Sequence, residues 1–217
     1  MIKIEHVETA GWEAAIRGMR NPMNSWKKSD STFDDGYWKV GPHDKNLAMN
    51  LRNAGVEHRK YMRMIAVWCD ITAPLYWWKQ FDTYKIGTVA NSCSTMHKIH
   101  AKEFTLDDFS IEDIDDDLFI YEGYAGERFT PKLVFELTLD SLNECRNKFL
   151  KTENLKYWNT MVKTLPDSYN QKRTVMLNYE VLAKMYKERR HHKLQEWHDI
   201  CDWMKTLPAS ELIVGEE

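Results

Sequence analysis

Pro74 sits where one periodicity gives way to another, and that junction constrains the chain more than any other feature. Before it, Ile65, Val67, Cys69 and Ile71 alternate with other residues, the period-two pattern of a short strand. After it, Leu75 to Lys85 reads as a helix with Pro74 in its first turn, where a missing N–H costs nothing, and Gly87 ends it. A strand feeding directly into a helix puts both element types in one fold. Around this junction, the first forty residues read as irregular, broken by Asn21-Pro22, Ser29-Asp30-Ser31 and Asp34-Asp35-Gly36. Gly41-Pro42-His43-Asp44 offers a helix start, followed by Leu47, Leu51 and Ala54 at helical spacing up to Gly55. Thr88 to Ser94 reads as a small polar connector.

Three helical patterns fill the second half: one after Pro131 (Val134, Leu137, Ser141, Cys145, Phe149), one from Leu155 to Leu165 stopped by Pro166, and a run from Tyr169 to Leu207 free of Gly and Pro. No repeat, linker or composition break divides the chain. The expectation is a single α+β domain over residues 1–217, with long helices on a small mixed or antiparallel sheet and a mostly helical C-terminal half.

Composition excludes several classes. Thirty Lys and Arg against 33 Asp and Glu leave a net charge of −3, so no nucleic-acid partner is expected. No apolar run approaches the roughly 20 residues that span a bilayer, so no membrane partner is expected, and Met1 to His6 lack a signal pattern. Cys69, Cys93, Cys145 and Cys201 form no CxxC pair and read as reduced thiols in a cytoplasmic protein. Nine Trp imply an aromatic core or a subunit interface, or stacking on a ring-bearing ligand.

Few residues carry recognisable chemistry by themselves. The acidic stretch 107–117 lacks the glycine and closing glutamate of a calcium loop. Cys93, His97 and His100, and His191, His192, His198 and Cys201, fall at helical spacings, but neither set has a zinc-site form, so no metal is expected. There is no nucleophile elbow, no GxGxxG and no P-loop, and no residue is assigned a catalytic role. The basic run Arg189-Arg190-His191-His192-Lys193, with Arg173 upstream, is more informative. It is either a solvated face or a phosphate-binding one, since the guanidinium fork makes two parallel bonds to a phosphate.

Taken together, Ile71-Thr-Ala-Pro-Leu-Tyr-Trp-Trp-Lys-Gln-Phe-Asp-Thr-Tyr-Lys-Ile-Gly-Thr, Asn91-Ser-Cys-Ser94-Thr-Met-His97, Leu165-Pro166, Arg173, Asn178, Arg189-Arg190 and Gln195-Glu196-Trp197 resemble the flavin-dependent thymidylate synthases. That family has a strand entering a helix, a Gln three residues before an Arg-His-Arg triplet, and the pattern S-x-N-E-x-S-x-R-Y. Leu-Pro before an Arg, an Asn-x-Arg on a long helix and an Arg-rich turn follow. The resemblance covers roughly residues 44 to 100 and 165 to 200 and implies a homotetramer with shared active sites.

By that resemblance, Gln80, Ser94, Arg173, Arg189 and Arg190 would hold a uracil nucleotide, with one of Arg189 and Arg190 on its phosphate. Thr83, Tyr84, Lys85, Asn91 and Asn178 stand at flavin-side positions. There the family triplet has become Thr83-Tyr84-Lys85, Met96 replaces a substrate-facing Arg, and Glu180 replaces the Arg after Asn178. Val56 to Tyr61 keep no clean counterpart of the family's His-x-(Ser/Thr)-Pro-x-x-His region.

Two readings follow. In one, a dUMP-binding methyltransferase uses FAD, NADPH and methylenetetrahydrofolate to place a one-carbon unit on C5 of deoxyuridylate for nucleotide biosynthesis. In the other, a non-catalytic protein on the same scaffold binds or sequesters a small nucleotide or nucleotide-derived signal, as a virus or mobile element could use.

Overall fold

The computed structural model describes residues 2–34, 37–126 and 128–215. In chain order the elements are β1 (Lys3–Ala10), α1 (Trp12–Arg20), β2 (Thr32–Asp34), β3 (Tyr37–Lys39), α2 (Pro42–Asn53), β4 (Ala66–Pro74), α3 (Leu75–Phe81) and β5 (Val89–Ser92). Then come β6 (Tyr121–Glu122), β7 (Arg128–Phe129), α4 (Pro131–Thr152), α5 (Leu155–Thr164), β8 (Asn170–Asn178), α6 (Tyr179–Arg189), α7 (Gln195–Lys205) and α8 (Glu211–Val214). The main sheet has the order β1-β4-β8-β5, and β2-β3 and β6-β7 are separate two-stranded ribbons. Helices of up to 22 residues with a small sheet make this an α+β fold. No helix among the described residues is long and apolar enough to cross a membrane.

The chain packs as two compact units. One comprises Thr72–Gln80 and Ser92–Lys172; the other comprises Ile2–Ile71, Phe81–Asn91 and the chain from Arg173 onward.

In the first unit, α4 and α5 pair around Leu142 and Met161, and Ile99, Phe104 and Phe109 complete the cluster. Trp77 and Trp78 are wholly buried and meet edge to face at 4.9 Å; the indole N–H of Trp78 donates to the Gln171 carbonyl at 2.9 Å. A helix begins with orphan N–H groups, and here those of Leu75 and Tyr76 donate to the carbonyls of Tyr169 and Asp167, both at 3.0 Å. Pro74 brings no such donor, which suits its place just ahead of the helix.

In the second unit, Trp12 stacks on Trp38 at 4.4 Å and meets Tyr179 edge to face. The Asp44 carboxylate, fully buried, accepts from Arg20 Nε, from the hydroxyls of Ser29 and Ser31, and from the N–H groups of Asp30 and Ser31. Asp30 reciprocates by accepting the N–H groups of His43 and Asp44, so a residue outside the helix caps α2. The Ser29-Asp30-Ser31 turn is thus a clamp on α2. Gly11, at φ +89, lets β1 turn into α1 against the Met64 carbonyl, which a Cβ would meet at 2.0 Å.

Four expectations are corrected. The first forty residues are not irregular: β1 and α1 are regular elements, with Trp12, Ala15, Ile16 and Met19 forming the buried stripe of α1. The Asp35-Gly36 part of the turn expected there lies outside the described residues. The helix after Pro74 stops at Phe81, not Lys85, because the Tyr84 ring is buried and the chain bends to deliver it. The connector at 88–94 contains β5. The Gly- and Pro-free run from Tyr169 opens as strand β8, burying Gln171, Val175 and Leu177. Asn178 ends that strand and caps α6, its side chain accepting the Val181 N–H at 2.9 Å. Arg173 therefore stands on a strand, not on a helix turn.

Candidate functional site

The turn following α3 shapes a concavity in the second unit. Tyr84 N–H donates to the Phe81 carbonyl, closing a turn, and Thr88 Oγ1 returns to the Tyr84 carbonyl. Gly87, at φ +83, finishes the turn against Asn178, whose Nδ2 a Cβ would meet at 2.6 Å. The Tyr84 hydroxyl donates to Glu188 Oε2 at 2.8 Å and accepts from Arg189 Nε at 2.9 Å. Burial and the bond to Glu188 push its ionisation up to about 12, so it is a neutral phenol at any ordinary pH. The Arg189 guanidinium lies over the rings of Trp197 (4.7 Å) and Tyr84 (5.6 Å), a cation–π position.

Beside this cluster opens a cleft of about 630 Å³. Its wall is Thr83, Tyr84, Lys85 and Ile86 on one side and Glu180, Val181, Ala183, Lys184, Lys187 and Glu188 of α6 on the other, with Val56 and Arg59 at its edge. Glu180 is held by Arg63, its carboxylate 3.2 Å from the guanidinium Nε. Arg59 Nε is buried and has no hydrogen-bond partner among the described residues.

The residues singled out from sequence fall in different places. Thr83, Tyr84 and Lys85 line the cleft, and Asn178 abuts Gly87 beside it. Arg173, Arg189 and Arg190 are not among its lining residues. Arg173 pairs with Asp82 at 2.8 Å, its own side chain only 14% exposed. Arg189 packs on Tyr84 and Trp197, while Arg190 is exposed at the C-cap of α6. Asn91 is exposed on β5. Gln80 and Ser94 belong to the first unit: Gln80 is half-buried on α3, and Ser94 Oγ accepts the N–H groups of Met96 and His97.

Sequence reasoning missed Arg59, Lys184 and Lys187. The two lysines had a signal, a spacing of three on a helix, but Arg59 had none because only the fold brings it to α6. Among the described residues no group of three or more His, Cys, Asp or Glu is placed to hold a metal. The buried thiols of Cys69 and Cys201 are pushed up to about 12 and about 11 by desolvation.

No family model and no curated protein matches the sequence. Solved structures do match in shape. Flavin-dependent thymidylate synthase ThyX from Helicobacter pylori, complexed with FAD and dUMP, superposes with a TM-score of 0.67 at 15% identity, over 99% of this chain and 98% of that one. The UMP/dUMP methylase PolB from Streptomyces cacaoi, bound with 5-Br dUMP, gives 0.61 at 14% identity, over 97% and 93%. The fold is that of the flavin-dependent thymidylate synthases.

The flavin-side residues do not reproduce the donor set of that family. Of the family triplet only Lys85 keeps a cation; Tyr84 is committed to Glu188 and Arg189, Asn178 to capping α6, and Glu180 to Arg63. The forks and the imidazole of that triplet are thus replaced by a hydroxyl, an engaged phenol and a single ammonium, which do not fit a flavin pyrophosphate.

Proposed function

We propose that this protein binds a pyrimidine nucleoside monophosphate of the deoxyuridylate type and acts as a binding protein rather than as a hydride-transfer enzyme. One observation carries the nucleotide half of the reading. The fold matches, nearly end to end, two proteins whose structures hold dUMP or its 5-bromo analogue. The engaged state of Tyr84, Asn178 and Glu180 supports the non-catalytic half. On this reading Arg173 and Arg190 supply cationic donors for the phosphate. The protein self-associates as a homo-oligomer, which light scattering reporting a monomer would refute.

The competing reading, one-carbon transfer to C5 of deoxyuridylate, is favoured by the near-complete match with the FAD-containing ThyX structure. Optical spectroscopy with a melting assay separates the two. Purified protein with no absorbance near 450 nm, stabilised by dUMP and not by FAD, supports the binder, because a ligand of the native state raises the melting temperature. A flavin band together with methylation of dUMP supports the enzyme. No shift with any nucleotide removes both.

A further inference from the structure

We propose that the groove between the β6-β7 ribbon and the first half of α4 is a docking surface for a basic amphipathic helix of another protein. The proposal does not rest on the nucleotide reading above.

The first argument is that α4 is apolar on two faces and the fold covers one of them. Phe135, Leu139 and Leu142 recur at helical spacing and pack into the core of the first unit. Leu133 and Leu137, four residues apart on the other side of the helix, line a groove of about 530 Å³ together with Tyr121, Tyr124 and Phe129. Tyr121 stacks on Phe129 at 4.4 Å, so the ribbon side of the groove is aromatic. Tyr121 and Leu137 are about half exposed and Tyr124 wholly so. Exposed apolar residues are unremarkable singly, but several gathered in one concavity mark a binding surface, and Tyr is enriched at such surfaces.

Charge identifies the occupant. Residues 112–122, which lead into the ribbon, carry six carboxylates and no cation. Lys132 answers only Asp116, at 2.7 Å, and the Arg128 guanidinium is engaged by the Asp117 carbonyl and the Phe119 ring. The groove therefore has an anionic margin. Such a margin repels nucleic acid and anionic lipid. A second copy docked about a twofold axis would bring the same carboxylates to both sides of the contact. A chain with apolar anchors along one helix face and Lys or Arg beside them complements both the groove and its margin.

The ribbon also decides the conformation of the occupant. β6 is two residues long, too short to template an added strand. Anchors at i, i+3, i+4 and i+7 of a helix can instead enter a groove walled by side chains.

The test is fluorescence anisotropy of the full chain with a labelled helical peptide of Leu and Lys, its leucines at that spacing. A scrambled peptide of the same composition and a Leu/Glu counterpart are the controls. The variants are Tyr124→Ser/Leu137→Ser, which removes the anchors' seat, and Asp113→Asn/Asp117→Asn, which removes charge from the margin. All four residues are exposed, so neither variant disturbs the core. The Leu/Lys peptide is expected to bind roughly tenfold or more tightly than the scrambled one, and each double variant should lose roughly tenfold. Added salt should weaken binding to wild type more than to the Asp113→Asn/Asp117→Asn variant. No binding of the Leu/Lys peptide, or equal binding of the scrambled one, overturns the proposal, the latter by showing attraction of charge alone. Affinity unchanged in Tyr124→Ser/Leu137→Ser overturns it by placing the peptide elsewhere. Light scattering in which wild type is an oligomer and Tyr124→Ser/Leu137→Ser a monomer overturns it by showing that a second copy covers the groove.

Discussion

Arg189 donates its Nε–H to the hydroxyl of Tyr84 at 2.9 Å, across 105 residues of sequence. The same guanidinium lies on the Trp197 ring, so one side chain joins the turn after α3 to α6 and α7. A residue expected from sequence to serve a phosphate is, in the fold, part of the wall behind the cleft.

Tyr84→Phe keeps the ring and its packing but removes the hydroxyl that Arg189 and Glu188 share. We expect a loss of about 1–2 kcal/mol in urea unfolding with no change in the denaturant slope, because exposed Glu188 regains water. An unchanged midpoint would show that the hydroxyl contributes nothing to the turn.

Asp44→Asn addresses the clamp on α2. Removing one partner of a buried ion pair strands Arg20, and the cost should be about 3–5 kcal/mol. Burial by itself would raise the Asp44 pKa, but bonds from Ser31, Ser29 and Arg20 outweigh it and hold the carboxyl below its ordinary value of 3.8. The folded value lies below the unfolded one, so the stabilisation is present above the unfolded value and is lost as pH falls through the folded one. The gap between wild type and Asp44→Asn should therefore be full at pH 7 and shrink as pH drops below about 4. A gap independent of pH would contradict this.

Arg173 and Asp82 make opposite predictions about the nucleotide. Arg173→Ala should weaken dUMP binding by one to two orders of magnitude, about 1.5–3 kcal/mol, and Arg190→Ala similarly. Asp82→Asn removes a competing carboxylate from Arg173 and should tighten binding. Titrations that do not distinguish Arg173→Ala and Arg190→Ala from wild type would take both arginines out of the phosphate assignment.

Gly87→Ala puts a Cβ against the Asn178 side chain at a φ of +83. Strain at that φ adds to displacement of the α6 cap, for a cost of about 1–3 kcal/mol. The melting temperature should fall accordingly, and a melting temperature equal to wild type would mean that the turn relaxes without moving its neighbours.

The alternation of Ile65, Val67, Cys69 and Ile71 determined β4, because period-two burial is a local property that a chain displays before it folds. Pro131 and Pro166 marked the limits of α4 and α5 on equally local grounds, and the α+β class followed from such signals. β8 was not legible, since Gln171 to Leu177 carry no breaker and its buried Gln171 answers to the Cys93 carbonyl 78 residues away. β1 hid in the same way: its outward-facing polar residues look like loop until a neighbouring strand satisfies their backbone. At the site, the triplet Thr83-Tyr84-Lys85 could be named from order along the chain. That Tyr84 turns inward onto Glu188 and Arg189, and that Arg59 joins Lys184 and Lys187 around one cleft, was decided by the tertiary structure. Hydrogen bonding and charge act through space over a few ångströms, and sequence separation carries almost no information about which residues will share that space.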